Sequence, residues 1–243
     1  MGQDKPPMMS DGIVEMEIYG THFYVPYRYV SHFLYFNCYP GIIPGRTAYG
    51  ILQEQRAQAL MLQYLHQGDL FIDVGASIGV FSLLAAQRGA DVVAFEAVKN
   101  LCTILSENLD NYLTRKIHCT ILSNEFQSRL VYRQMGEQCL IEVRDEPDEA
   151  LLEKVQVNQL DDYNLTPHFI KIDIEGMGIA VLEGASETLK RTSVIMIEVY
   201  DANECTGVVN LIEKAGFIWQ VISEAHIIGV KPPLPLPKDF GGI

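Results

Sequence analysis

The stretch LFIDVGASIGVFSLLAAQRGADVVAFEAV, residues 70–98, decides how this chain folds. It begins as an apolar strand that runs through Asp73 to Gly75, continues as a helix, and ends in a second strand whose last residue is Glu96. α/β proteins use such a unit to hold nucleotide-like ligands at the carboxyl ends of parallel strands. The stretch therefore predicts an open parallel sheet with a ligand site at its edge.

The composition is that of an ordinary globular protein. The 243 residues, 48% hydrophobic and 20% charged, suffice for one α/β domain and a small appended region. The formal net charge of −13 repels phosphate backbones, so we expect no nucleic-acid partner. No apolar run is long enough to span a bilayer, and no signal-peptide pattern is present, so we expect a cytoplasmic protein without a membrane partner.

The metal-binding and redox-active residue types show no paired spacing. The five cysteines are scattered and include no C-x-x-C pair, so we expect reduced, mostly buried thiols, as is usual in the cytosol. The six histidines are also scattered, without the spacing of a ligand set, so we predict no metal site.

The chain has an unusual beginning and a regular remainder. Aromatic residues crowd the region up to residue 49, where 14–27 reads as a hairpin, so we predict an aromatic-rich N-terminal cap over 1–49. From residue 50 to 243, apolar strands alternate with helices, which predicts a doubly wound, mostly parallel sheet covered on both faces. We place strands at 70–74, 91–95, 117–122, 169–173, 194–198 and 217–222, and helices at 52–67, 78–88, 98–112, 178–190 and 204–215.

The spacing of the glycines narrows the class of ligand. Asp73, Gly75 and Gly79 are arranged as D-x-G-x-x-x-G, and Ser77 stands where a dinucleotide site has its second glycine. The Gly-Lys-Ser/Thr of a phosphate-binding loop is also absent. Asp73 would repel a pyrophosphate but suits the ammonium or sulfonium of S-adenosylmethionine, and Glu96 is placed to bind ribose hydroxyls. The alternative, a tight strand-to-helix turn without a ligand, leaves Glu96 unexplained.

Several further stretches carry a family resemblance. FIDVGASIGVFS, FEAV, ILSNEFQSRLVY, VNQLDDY, HFIKIDIEGMGIAVLEGASETL and VIMIEVY, in this order between residues 68 and 221, resemble FkbM-type methyltransferases, a branch of the class I S-adenosylmethionine-dependent enzymes. The resemblance implies a seven-stranded Rossmann-like sheet ending in an antiparallel hairpin, 217–222 with 226–230. It also implies a cofactor site: Asp73, Gly75, Ala76, Ser77 and Gly79 around the methionine end, Glu96 at the ribose, and Ser123 and Asn124 near the adenine.

Three carboxylates are candidates for the chemistry. Asp173, Glu175 and Glu198 lie at or just beyond the ends of two predicted strands, where a carboxylate can remove a proton from the methyl acceptor. Glu175 has the alternative role of capping the following helix. Lys171 is expected to pair with, or to orient, Asp173. By the resemblance, the family commonly carries an acid at the position of Gly178, so use of another residue, altered specificity and loss of activity are open alternatives.

We therefore expect an S-adenosylmethionine-dependent methyltransferase that acts on a hydroxyl of a small molecule, a sugar or a secondary metabolite. N-methylation of a peptide or amide acceptor is the nearest alternative. The others are a catalytically silent methyltransferase-like binding protein and, if the turn tolerates a pyrophosphate, an NAD-dependent dehydrogenase.

Overall fold

The structure, a computed structural model, describes residues 13–18, 21–26, 48–124, 130–135, 138–143, 156–174, 176–223 and 225–238. The chain divides into two compact units, residues 1–55 and 56–243. In the first unit, β1 (Ile13–Ile18) and β2 (Thr21–Pro26) pair in antiparallel register, which confirms the predicted hairpin. The rest of the aromatic-rich region before residue 48 lies outside the described residues.

The second unit is built on a seven-stranded sheet. Its strands are β3 (Leu70–Val74), β4 (Asp91–Glu96), β5 (Arg115–Cys119), β10 (Phe169–Ile172), β11 (Val194–Glu198), β12 (Ile218–Val221) and β13 (His226–Val230). They lie in the order β12-β13-β11-β10-β3-β4-β5, and only β13 runs in the direction opposite to the other six. This confirms the predicted doubly wound, mostly parallel sheet and its antiparallel final hairpin. The strand order reverses between β3 and β10, where such sheets bind ligands.

Helices follow most strands. They are α1 (Ala48–Tyr64), α2 (Val80–Gln87), α3 (Lys99–Asn108), α4 (Gly178–Glu183), α5 (Ser186–Lys190) and α6 (Ala202–Lys214). Successive residues of the central strands are buried on opposite faces of the sheet: Phe71 packs against Phe169, while Ile72 and Ile170 join the core of the other face. Burial on both faces explains why these strands read as unbroken apolar runs.

Two elements that the sequence predicts as continuous are each divided in two in the structure. The strand expected at 117–122 ends at Cys119, and β6 (Ile121–Leu122) pairs instead with β9 (Val157–Asn158), outside the main sheet. The helix expected at 178–190 is broken into α4 and α5 at Gly184, where an added Cβ would lie 2.7 Å from the backbone oxygen of Ser123. Both breaks depend on segments distant in sequence. β7 (Leu130–Met135) and β8 (Gln138–Val143) form an antiparallel hairpin.

The expectation of reduced cysteines is wrong for two of them. Cys102 of α3 and Cys119 at the end of β5 form a disulfide, whereas Cys205 is free. The two cysteines are 17 residues apart in sequence, and the packing of α3 beside β5 brings them together, which spacing rules for short motifs do not detect. In the described parts of the chain, no helix has the length and apolar character needed to cross a membrane.

Candidate functional site

The turn after β3 brings bare backbone to the edge of the sheet. The N–H groups of Gly75 and Ala76 both donate to the carbonyl oxygen of Phe95, at 3.0 and 3.1 Å. Gly75 has a φ of +77°, and a Cβ at this position would lie 1.9 Å from the backbone oxygen of Asp173. A residue with a side chain would therefore force the β3 and β10 ends apart. Gly79, also left-handed with a φ of +93°, begins α2.

Glu96 holds this turn from the end of β4. Its Oε2 accepts a hydrogen bond from the Ser77 N–H and its Oε1 accepts one from the Val98 N–H, both at 2.8 Å. Ser77 is left-handed, with a φ of +52°, so this hydrogen bond also supports a conformation that favours glycine. Burial raises the pKa of Glu96, and the backbone donors oppose that shift. The carboxylate lies where the sequence places it, beside the glycine turn.

A small cavity opens beside the turn and is mostly apolar. Its lining comes from the ends of β3 and β4, the β5–β6 segment and the start of the loop before α4, and consists of Val74, Gly75, Phe95, Ala97, Thr120, Ile121, Leu122, Ile174 and Met177. Ser123 follows the last of the β6 residues, and Asn124 donates from its side chain to Glu183 at 2.6 Å. The cavity therefore offers an apolar slot next to the predicted adenine residues.

A buried charge cluster lies beneath the glycine turn. Asp73 is fully buried; its Oδ2 accepts from the Ser82 hydroxyl at 2.7 Å, and its Oδ1 lies 3.6 Å from the Lys171 ammonium. Burial raises the pKa of Asp73, against the opposing effect of Lys171. The carboxylate is thus not exposed at the strand ends, where the sequence analysis expected it to face a cationic ligand. The adjacent strand supplies its counter-ion, which the glycine motif alone does not reveal.

Asp173 and Glu198 occupy the exposed side of this cluster. They follow and end the paired strands β10 and β11, in matching register. Lys171 donates to Asp173 Oδ2 at 3.0 Å, which confirms the expected pairing. Burial alone would raise the pKa of Asp173, but the Lys171 ammonium and a hydrogen bond with Glu198 hold it well below the usual range. Glu175, the third candidate, lies outside the described residues.

The sequence analysis missed a third group at this edge. The Tyr200 hydroxyl lies 3.2 Å from Asp173 Oδ1 and 2.9 Å from Glu198 Oε2. Its position two residues after the end of β11 was a signal that could have indicated it, because side chains that follow parallel strands meet at the same edge. Among the described residues, no group of His, Cys, Asp and Glu side chains is arranged to hold a metal ion.

Comparison with known proteins identifies the family of this chain. The family model for the methyltransferase FkbM domain matches residues 73–225, which include the glycine turn, both site carboxylates and Tyr200. The chain belongs to the FkbM methyltransferase family.

Individual relatives of this FkbM domain are distant. The “Putative ribosomal RNA large subunit methyltransferase MJ1653” of Methanocaldococcus jannaschii is 27% identical over 122 residues, which cover 49% of this chain and 32% of that protein. The chain therefore spans about a third of the length of this curated relative. Methyltransferase FkbM from Methylobacillus flagellatus is 17% identical, with a TM-score of 0.47 over 67% of this chain and 43% of the other. Precorrin-6y C5,15-methyltransferase from Geobacter metallireducens is 15% identical, with a TM-score of 0.47 over 73% and 89%.

The structure shows what surrounds Gly178, the position at which the family resemblance led us to expect an acid. The Gly178 N–H donates to Glu204 Oε1 at 3.1 Å, and a Cβ at residue 178 would lie equally close to that oxygen. Glu204 is buried, and its Oε2 accepts from the Tyr200 N–H at 2.9 Å. In this chain a carboxylate from α6 therefore reaches the start of α4, and a side chain at 178 would press against it.

Proposed function

We propose that this chain is an S-adenosylmethionine-dependent methyltransferase that methylates a hydroxyl group of a small molecule, a sugar or a secondary metabolite. The observation that carries the proposal is the bare Gly75 backbone lying between Glu96 on one side and the Asp173–Glu198 pair on the other. A carboxylate that can bind a ribose and a carboxylate that can accept a proton would then share one sheet edge, which supports the proposal. Membership of the FkbM family supports the same reaction.

The residues at the edge fit this cofactor. The glycine turn places backbone without a side chain at the strand ends, and the neighbouring slot is apolar, as an adenine ring requires. Gly75, Ala76, Ser77 and Gly79 would line the methionine end, with Asp73 supporting them from below. Glu96 would accept hydrogen bonds from the ribose, since each of its oxygens has a second lone pair. Ser123 and Asn124 would lie near the adenine.

When bound, the cofactor supplies an electrophilic methyl group on a sulfonium. The chain's own part is to orient the acceptor and to take the proton that a hydroxyl loses. Glu198 suits proton acceptance better than Asp173, because Lys171 lies against Asp173 and stabilises its ionised form. Asp173 would then anchor the acceptor hydroxyl, and Glu175 remains a candidate for either role.

An RNA acceptor is the second candidate, because the name of the Methanocaldococcus jannaschii relative specifies ribosomal RNA. The net charge of −13 argues against an RNA acceptor, because proteins that bind nucleic acid neutralise its phosphates with Lys and Arg. N-methylation of a peptide or amide acceptor, the remaining methyl-transfer alternative, would use the same sheet edge. An RNA transcript and a peptide pool therefore belong beside a panel of sugars in the acceptor screen, with formation of S-adenosylhomocysteine as the readout.

The cofactor is tested first, by calorimetric titration with S-adenosylmethionine, S-adenosylhomocysteine and NAD in parallel. We expect micromolar binding of the two adenosyl-sulfur ligands and none of NAD. Binding of NAD instead would make the dehydrogenase the leading interpretation. Binding of none of the three would favour the catalytically silent protein.

The acceptor side is tested by Asp173→Asn. We expect turnover to fall at least tenfold while S-adenosylmethionine binding is retained, because the amide cannot anchor the acceptor as a carboxylate does. Asp91→Asn, an exposed change at the opposite end of β4, is the matched control. Full activity of Asp173→Asn would move the role to Glu198 or Glu175.

A further inference from the structure

Tyr200 is the one aromatic side chain in contact with both site carboxylates among the described residues. The residue is 47% exposed, and its hydroxyl bridges Asp173 and Glu198 across the ends of two adjacent strands. An exposed tyrosine would ordinarily sample several rotamers. Here the hydroxyl has two carboxylate partners, which restrict it to the mouth of the site.

The backbone of Tyr200 is also fixed. Its N–H donates to Glu204 Oε2 at 2.9 Å, and Glu204 is itself buried at the start of α6. The next residue, Asp201, caps α6 by accepting from the N–H groups of Asn203 and Glu204, at 2.8 and 2.9 Å. Two carboxylates thus hold the segment that presents Tyr200, so its bridging position is built into the fold.

A count of protons shows what the bridge requires. The Tyr200 hydroxyl lies within hydrogen-bond distance of both carboxylates. If both carboxylates were ionised, the single phenol proton could be donated to only one of them. One further proton on the other carboxylate makes both contacts hydrogen bonds. The three groups therefore form a unit that favours the uptake of one proton.

The surrounding charges decide where that proton resides. Lys171 Nζ lies 3.0 Å from Asp173 and 3.6 Å from Asp73, so the positive charge is concentrated on the β10 side. On the other side, Glu198 is paired in register with His226 of β13, which is buried and whose pKa is lowered to about 4. His226 is therefore neutral near pH 7 and adds no positive charge beside Glu198. The extra proton belongs on Glu198.

We propose that Tyr200 is a positioning residue that joins Asp173 and Glu198 into one proton-accepting unit, with Glu198 as the site that receives the proton of a hydroxyl acceptor. In this step the O–H bond of the acceptor breaks and an O–H bond forms on Glu198, while Asp173 stays ionised beside Lys171. The use of the unit in catalysis rests on the proposed function; its existence does not. The exposed ring then forms one wall of the acceptor site.

The existence of the unit is tested without any cofactor or acceptor, by NMR of the full chain labelled with carbon-13 at the ζ position of tyrosine. The Tyr200 resonance is assigned by its loss in Tyr200→Phe. We expect the chemical shift of this resonance to change in a titration step far below pH 10, about where tyrosine ordinarily ionises. We expect Glu198→Gln to remove this low-pH step. Glu213→Gln, a change elsewhere on α6, is the matched control and leaves the step in place. A Tyr200 resonance that stays constant until its own ionisation, or a step unaffected by Glu198→Gln, would overturn the proposal.

A kinetic arm uses whichever hydroxyl acceptor the screen identifies. Tyr200→Phe keeps the ring and removes the donor, so we expect kcat to fall about tenfold or more, with the affinity for S-adenosylmethionine unchanged. Loss of the phenol donor disfavours the ionised pair, so the acid limb of the kcat profile moves to higher pH. A loss of activity with an unshifted pH profile would indicate a merely structural role and contradict the proposal. Failure of the wild-type chain to bind S-adenosylmethionine would reject the proposed function, whereas the NMR result would stand.

Discussion

At the scale of single residues, Glu96 has the clearest double role. It is the one carboxylate that binds the N–H of the left-handed Ser77 and that of Val98 in the next loop, so it stabilises the turn that it adjoins. A ligand ribose would meet a side chain already held in place. Such preorganisation lowers the entropic cost of binding.

Glu96→Ala is expected to weaken S-adenosylmethionine binding by about 1.5–3 kcal/mol, the range for hydrogen bonds to a charged group. Isothermal titration calorimetry measures this directly. Glu187→Ala, on the exposed surface of α5, is the control and is expected to leave the affinity unchanged. An affinity equal to the wild type in a folded Glu96→Ala protein would remove Glu96 from the ribose site.

At the scale of elements, the first turn of α5 is stabilised by a residue outside the helix. Asp161, in the 3₁₀ turn Leu160–Tyr163, accepts from the N–H groups of Glu187 and Thr188 at 2.9 and 2.7 Å, and from the Thr188 hydroxyl at 2.7 Å. A five-residue helix has little stability of its own. This contact explains why the stretch VNQLDDY, one of those that carry the family resemblance, lies beside α5 although the two are distant in sequence.

We expect Asp161→Ala to lower the free energy of unfolding by about 1–2 kcal/mol, the usual cost of losing a helix cap. Urea denaturation followed by circular dichroism measures the change. Asp161→Asn keeps an acceptor oxygen and should lose less, whereas Asp91→Ala, at an exposed position, should lose little. Equal stability of Asp161→Ala and the wild type would contradict this role.

Glu204 links α4, α6 and the Tyr200 segment. Glu204→Ala would leave the N–H groups of Gly178 and Tyr200 without this acceptor, at an expected cost of about 1.5–3 kcal/mol in the free energy of unfolding. Lys214→Ala, at an exposed position of the same helix, is the matched control in the same denaturation experiment. If both variants lose the same amount, Glu204 is no more than an ordinary helix residue.

At the scale of the whole molecule, the buried charges determine how stability depends on pH. His226 is 3% exposed, and its Nδ1 lies 3.0 Å from the Ser223 hydroxyl. Burial lowers its pKa to about 4, although Asp173 nearby opposes that shift. The folded chain therefore keeps His226 neutral at a pH where the unfolded chain has already taken up a proton.

Because the folded pKa of His226 is depressed, its contribution to stability is present above the unfolded value of about 6.5 and is lost as the pH falls towards 4. The expected loss is on the order of 3 kcal/mol across that window. The raised pKa values of Asp73 and Glu96 act in the opposite direction, so the test is the difference between wild type and His226→Gln. Denaturation at pH 7 and pH 4 measures it, with the exposed His66→Gln as control; parallel curves for wild type and His226→Gln would contradict the prediction.

Much of the fold follows from local patterns. The unbroken apolar strands predict burial on both faces, and the glycines at 75 and 79 predict a sharp turn. In the structure a Cβ would collide with the Asp173 backbone at position 75 and with the Leu105 side chain at position 79. Glu96 is found where its strand ends. These features depend on residues close together in sequence, or on burial that every neighbour shares.

Tertiary structure alone decided the rest. The sequence contains Asp73 and Lys171 but does not show that β10 lies beside β3, so the burial of Asp73 behind the glycine turn could not be predicted. Cys102 and Cys119 meet, and Tyr200 spans two carboxylates, for the same reason. The sequence by itself determined which strands form the sheet and where its ligand edge lies, because hydrophobic periodicity is a local property. Strand order decides which charges face one another at that edge, and strand order is fixed only when the whole core packs.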